Sequence, residues 1–244
     1  MTRQQLELID HSIMDDLRNV QTEYGFAASS KSDHFFALFG RDAALICIFL
    51  LESGELRKDR SLSEFLPDVK KTLEQLALYQ SHAHDDWRDA QPGKIPHEIR
   101  FGSSNQSYLE KLKADGWPVE GKTGSLFMNY YGSIDATPLW LVAAAKYIQV
   151  SGDLQFFSSH RDNIRQAFEW IEKFGDLDGD LHLEYSSRNR DALPNQGWKD
   201  SSDSIQTKGK KRPKEPIALV EVQGYAYGAE NEWSQLFSEM GEHK

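Results

Sequence analysis

Five segments of this 244-residue chain gather side chains able to do chemistry. In Phe39-Gly40-Arg41-Asp42 a guanidinium and a carboxylate stand side by side just ahead of an apolar run. Asp42 is placed to cap the free N–H groups of a helix starting there, and the same pair offers donors and acceptors to the vicinal hydroxyls of a sugar. Tyr130-Tyr131-Gly132-Ser133-Ile134-Asp135-Ala136-Thr137-Pro138 sets Asp135 at a second N-cap with Pro138 in the first turn; Tyr131 adds a ring face and a hydroxyl beside it. Asn195-Gln196-Gly197-Trp198-Lys199-Asp200-Ser201 joins an indole, an ammonium and a carboxyl within three residues. An indole beside a carboxyl desolvates it and favours the protonated form that a general acid needs, while Lys199 acts in the opposite direction. Pro92 to Arg100 carries His97, Glu98 and Arg100 in a stiff loop, and Ile217 to Tyr225 sets Glu221 and Gln223 into an apolar helix. Buried polar groups of that kind require partners, either a ligand or a neighbouring loop. Taken singly, each segment has an ordinary structural reading: an N-cap, a surface ion pair, or a packed aromatic next to a solvated charge pair.

Other features carry less. Asp176-Leu177-Asp178-Gly179-Asp180 lacks the glycine position and the twelfth-position glutamate of a calcium loop, so it reads as a turn. His82, His84 and Asp85 have no further ligand cluster, Cys47 reads as a core thiol, and Lys208–Lys214 reads as a solvated insert. No cofactor is expected.

The elements that must position these groups read as helices. Leu6, Ile9, Ile13 and Leu17 form one apolar stripe; Val69, Leu73, Leu76 and Ala77 form another. Leu141, Ala144, Ala145 and Ile148 repeat the spacing, as do Ile164, Ala167, Phe168 and Ile171. Ala43–Leu51 and Ile217–Tyr227 are apolar on most faces and predict helices buried among others. His182-Leu183-Glu184-Tyr185 is the one strand-like stretch. The expectation is therefore an all-α protein of six or seven helices in a single domain over 1–244. Ser151-Gly152-Asp153 predicts a tight turn, whereas 81–135 and 175–215 predict long irregular loops rich in aromatics and acids.

Composition bounds the function. The net charge is −10, which disfavours nucleic acid as a partner. The longest apolar run, Ala43–Leu51, is too short to span a bilayer. The amino-terminal residues are amphipathic and acidic rather than signal-like. A lone cysteine excludes a disulfide framework and a cysteine-cluster zinc site, so a cytoplasmic location is expected.

Taken in order, FGRDAALI, GKIPHEIR, YYGSIDATPLWL, DLDGDLHLEY, NQGWKDS and EPIALVEVQGYAY resemble the bacterial glycogen-debranching, amylo-α-1,6-glucosidase-like proteins, which belong with the glucoamylase-like (α/α)6 toroid glycosidases. The likeness runs from about Phe35 to Tyr227. It implies inverting hydrolysis of an α-glucosidic bond in an α-glucan or small glucoside, with Asp200 as general acid. It further implies a sugar-binding set of Arg41, Asp42, Glu98, Tyr131, Asp135, Trp198, Lys199, Glu221 and Gln223. Lys199, between Trp198 and Asp200, departs from the Gly-Trp-Asp pattern of related toroids. The chain also supplies helices for only about half a toroid, without the half that carries the family's catalytic base. Two alternatives follow: a non-catalytic carbohydrate-binding half, or a half that needs a partner, either a second copy in a homodimer or a complementing chain. A sugar epimerase or lyase built on His97 is a third reading.

Overall fold

The structure, a computed structural model, describes residues 3–57, 64–122, 125–189, 191 and 193–241. About 52% of the chain is helical and 12% is in strands. The expected all-α class, and with it the half-toroid of helical hairpins, is therefore corrected: this is a mixed α/β fold with three small antiparallel sheets.

Seven α-helices occur among the described residues: α1 (Arg3–Val20), α2 (Gly40–Arg57), α3 (Leu66–Leu78), α4 (Gly102–Ala114), α5 (Ala136–Ser151), α6 (Leu154–Trp170) and α7 (Val220–Glu239). Leu6 and Ile9 of the first expected stripe lie outside the described side chains. The centre of the molecule is α5, in which every residue from Ala136 to Ala145 is buried. A helix apolar on all sides must be enclosed, and α5 packs against α2, α3, α6 and α7. Two indoles lock this arrangement: Trp140 donates to the Leu73 carbonyl of α3 at 3.1 Å, and Trp233 of α7 donates to the Leu141 carbonyl at 2.9 Å. The two helices expected to be buried each keep an open face, since Phe49 on α2 and Val220 and Tyr227 on α7 are exposed. The hairpin between α5 and α6 forms as its sequence requires. Gly152 ends α5 at a left-handed φ of 68°, and the Asp153 carboxylate accepts from the Phe156 N–H at 2.9 Å.

The main sheet runs β3-β4-β6-β5, made of β3 (Leu38–Phe39), β4 (Glu98–Phe101), β5 (Glu120–Lys122) and β6 (Ser125–Tyr130). Its strands and α4 occupy much of the 81–135 stretch expected to be irregular. In β6, Leu126, Met128 and Tyr130 are buried while Ser125 is exposed and Phe127 and Asn129 are half-buried, the period of two that a one-sided strand shows. The stretch 182–185 does contribute a strand, β7 (Glu184–Tyr185), paired with β8 (Ile217–Ala218) ahead of α7; β1 (Gln21–Thr22) and β2 (Gly25–Phe26) form the third sheet. One glycine sets the geometry around α2. A Cβ on Gly40 would lie 2.2 Å from the Pro96 carbonyl oxygen and 3.0 Å from the Ala136 Cβ, so only glycine lets the start of α2 reach both the 92–97 loop and α5.

Candidate functional site

Three helix starts meet at one rim. α2, α5 and α7 each carry an acid there: Asp42 in the first turn of α2, Asp135 at the N-cap of α5 and Glu221 in the first turn of α7. Helix N-termini hold partial positive charge and favour carboxylates. Between them lies the 195–201 loop. The Arg41 guanidinium joins these elements, with Nε donating to Asp135 Oδ2 at 2.6 Å and Nη2 donating to the Gly197 carbonyl at 2.8 Å. Its Nη1 stands 3.9 Å from Asp200 Oδ2. Glu221 closes the group, since a Cβ placed on Gly197 would be 3.7 Å from Glu221 Oε1.

The division between inside and outside is sharp. Arg41 and Asp135 have side chains 7% and 0% exposed, whereas Asp200 is 41% and Trp198 64% exposed. Burial opposes the charge on Arg41, but Asp135, Asp42 and Asp200 outweigh it and hold the guanidinium more firmly protonated than usual. Burial pushes the half-buried Asp42 carboxyl above the ordinary carboxylate range. Arg41 pulls against this rise, and the neighbouring Asp135 and Asp200 add to it. The rim thus offers a carboxyl biased toward its protonated form, a solvent-facing carboxyl and an open indole.

Asp135 does not cap α5. Ser133 Oγ takes that role, accepting from the Ala136 N–H at 3.1 Å and donating to Asp135 Oδ1 at 2.9 Å. Asp135 is thereby left to neutralise Arg41. The loop is pinned from behind by two residues that the reading of the sequence passed over. The buried Asn195 donates to the Ser201 carbonyl at 2.6 Å and accepts from the Tyr185 hydroxyl at 3.2 Å. The carbonyl of Gln196 accepts from the Ile134 N–H at 2.8 Å. Both stand in the same short segment as Trp198 and Asp200, and an amide pair beside a glycine was the available signal. Tyr225, one turn beyond Glu221 on α7, also belongs here; burial raises its hydroxyl pKa, and Asp135 and Glu221 raise it further.

Other expected residues are elsewhere. The Tyr131 hydroxyl donates to the Tyr79 carbonyl at 2.7 Å and accepts from Asn129, and burial raises its pKa to about 12. Glu98 is held by Arg100, which also donates to the His34 carbonyl and to Asn105, in a separate charged cluster. The amide of Gln223 is fully used, accepting from the Leu183 N–H and donating to the Leu183 and Leu219 carbonyls, so it ties α7 to the residue before β7. Lys199 is exposed beside Trp198. His97 is buried edge-on between Phe39 and Tyr130 with its Nδ1 unpartnered, and burial lowers its pKa to about 3, so it is a neutral core ring. Asp176 accepts from the backbone N–H groups of Gly179, Asp180 and Leu181, the expected turn. Among the described residues, Asp176, Asp178 and Glu184 are the one group of three potential ligand side chains with oxygens within 4.8 Å of one another, and Asp176 and Glu184 already accept from backbone N–H groups.

A cavity of about 190 Å³ lies on the far side of the 195–201 loop, lined by Asp89, Lys94, Trp170, Glu184, Arg188 and Gln196 among others; none of the expected site residues lines it. No described helix is long and apolar enough to cross a membrane. The sequence matches no protein-family model and no curated protein.

Proposed function

We propose that the rim formed by Asp42, Trp198, Asp200 and Glu221, held in place by Arg41, binds the terminal sugar of an α-glucoside, and that the chain is a glycoside hydrolase of the amylo-α-1,6-glucosidase type. The observation that supports this most is the single buried guanidinium of Arg41. It ties Asp135, the Gly197 carbonyl and Asp200 to one point and so presents Asp200 beside Trp198 and Asp42.

Inverting hydrolysis needs one carboxyl to protonate the leaving oxygen and another to activate water on the opposite face. Asp200 is the acid in this reading, and the carboxylate that takes the proton from water comes from a partner, either a second copy of this chain or a complementing one. Trp198 stacks on a ring, and Asp42 and Glu221 accept from sugar hydroxyls. Arg41 and Asp135 are positioning residues: they are buried and act on the sugar through the loop they hold. Tyr131, Glu98 and Gln223, whose polar atoms are engaged elsewhere, make no contact with sugar in this reading.

The test is release of glucose from isomaltose and panose by the wild type and by Asp200→Asn. The variant should keep its circular dichroism and lose turnover. Wild-type turnover in Asp200→Asn removes Asp200 from the role. A second reading, a non-catalytic sugar-binding protein, is favoured by the number of rim groups spent on internal bonds. It expects calorimetric binding of maltooligosaccharides, weakened by Trp198→Ala, with no hydrolysis by the wild type.

A further inference from the structure

Lys94 is buried, with 4% of its surface exposed, and faces the cavity behind the loop. Buried lysines are almost always paired with an acid. Among the described residues Lys94 forms no ion pair. Its Nζ donates to the Asp89 main-chain carbonyl at 3.2 Å and sits 5.5 Å from the centre of the Trp170 ring. The nearby acids are engaged elsewhere: the Asp89 carboxylate accepts from the Arg188 N–H, the Tyr130 hydroxyl and the Gln196 amide, and Glu184 accepts from two backbone N–H groups. The mouth of the cavity is open, since Leu177, Ser186 and Arg188 on its wall are exposed. Its volume of about 190 Å³ is far more than one water needs and leaves room for a small organic molecule. A desolvated amine on the wall of an accessible cavity, close to another cation, is the arrangement that makes a lysine nucleophilic.

We propose that Lys94 is a nucleophilic amine that condenses with the carbonyl carbon of a small hydroxyaldehyde or hydroxyketone held in this cavity. The amine nitrogen bonds to the carbonyl carbon, and the π pair moves to oxygen, which takes the proton that nitrogen gives up. The resulting hydroxyl leaves as water with the second amine proton, and an imine remains. No oxidant or reductant is involved. Gln91, Gln196 and Ser186 line the walls; each spends one hydrogen bond within the protein, on Trp170, Asp89 and Glu215, and their remaining donor and acceptor capacity serves the ligand's hydroxyls. Burial lowers the Lys94 pKa to about 8; Arg188 lowers it further, while Asp89 and Asp135 oppose the fall. Glu184 also lines the cavity, His97 is neutral, and α6 contributes the uncharged Trp170. At pH 8 an appreciable fraction of Lys94 is free amine, whereas an ordinary lysine at about 10.4 is almost wholly protonated.

The test is reductive trapping, and it is independent of sugar hydrolysis at the rim. The full chain is incubated with glyceraldehyde and cyanoborohydride from pH 6 to 9, followed by intact mass and peptide mapping. The first equivalent should fall on Lys94, on the order of tenfold faster than on any exposed lysine, with a rate that rises through about pH 8. Lys94→Arg should lose that first equivalent while its circular dichroism is unchanged. A first equivalent spread over exposed lysines, with Lys94 unmodified, overturns the proposal. If Lys94→Arg does not fold, the wild-type map alone decides.

Discussion

Replacing Asp135 with alanine tests the central element of the rim. Asp135 is fully buried and accepts from Arg41 Nε at 2.6 Å and from Ser133 Oγ at 2.9 Å. Without it, the 7%-exposed guanidinium keeps the Gly197 carbonyl and a looser approach of 3.9 Å to the part-exposed Asp200. Breaking a buried pair by removing one partner costs about 3–5 kcal/mol, because the other charge stays buried. For a chain of this size that corresponds to a fall in Tm of roughly 6–20 °C. A double-mutant cycle of Arg41→Ala, Asp135→Ala and the double variant, followed by urea unfolding, separates the pair from general loss of packing. The expected interaction energy is about 2–3 kcal/mol, at the upper end for residues in direct contact. Hydrogen exchange at 197–201 should also speed up in Asp135→Ala, because Arg41 then holds the Gly197 carbonyl less firmly. An interaction energy below ~0.5 kcal/mol, with unchanged exchange in that loop, refutes the claim that this pair organises the rim.

Two further predictions concern buried titratable groups. His97 has a folded pKa of about 3, against ~6.5 unfolded, so between those values the unfolded chain binds one more proton. Stability therefore falls as pH drops below about 6.5, by up to about 1.4 kcal/mol per unit from this group, and His97→Phe should flatten that slope; identical acid slopes in the two proteins would exclude His97 as the cause. Lys94 has a folded pKa of about 8 and binds fewer protons than the unfolded chain up to its ordinary value of 10.5, so its cost is fully present at pH 7 and fades as pH rises from 8 toward 10.5. Lys94→Met should accordingly stabilise the protein by about 3 kcal/mol at pH 7 and by little near pH 10.5, and a lower Tm than wild type at pH 7 would contradict this.

Features encoded by neighbouring residues were legible in the sequence, and features that depend on distant partners were not. Gly152 and Asp153 announced their turn because both act within three residues. Asp42 and Asp135 were legible as acids at helix starts, whereas Glu221 read as a polar group within a helix over Ile217–Tyr227, of which Ile217–Ala218 instead form β8 and leave Glu221 in the first turn of α7. The partner of Asp135 was not, because Arg41 lies 94 residues away and Ser133 was equally able to cap α5. Most strands span two to four residues, too short to show a period of two, and the pairing of Glu98–Phe101 with Phe127–Tyr130 depends on an intervening helix. Ser125–Tyr130 alone was long enough to betray itself by alternation, and its aromatic content concealed that within a stretch read as loop. α5 was legible as a helix, yet a single stripe through Leu141 and Ile148 understated it. Its burial on every side follows from α2 and α7 packing against it, which no local pattern records.

The electrostatics of the rim explain why so acidic a chain concentrates acids there. Asp42, Asp135 and Asp200 share the Arg41 guanidinium, and Asp42 feels Asp135 and Asp200 as repulsive neighbours. Three helix starts offset part of that repulsion, each contributing about 0.3–1 kcal/mol to a carboxylate in its first turn. Arg41 supplies the rest, and it spends its strongest bond on the one acid that is wholly buried. The outward acids are thereby left under-neutralised while the frame beneath them stays satisfied. A rim built only for stability would pair its exposed acids and leave the interior apolar, since a buried ion pair is often no better than a hydrophobic substitute of the same volume. Here the interior pair sets a part-exposed carboxyl and an exposed indole at fixed positions, which are the groups that contact the sugar in the proposed function.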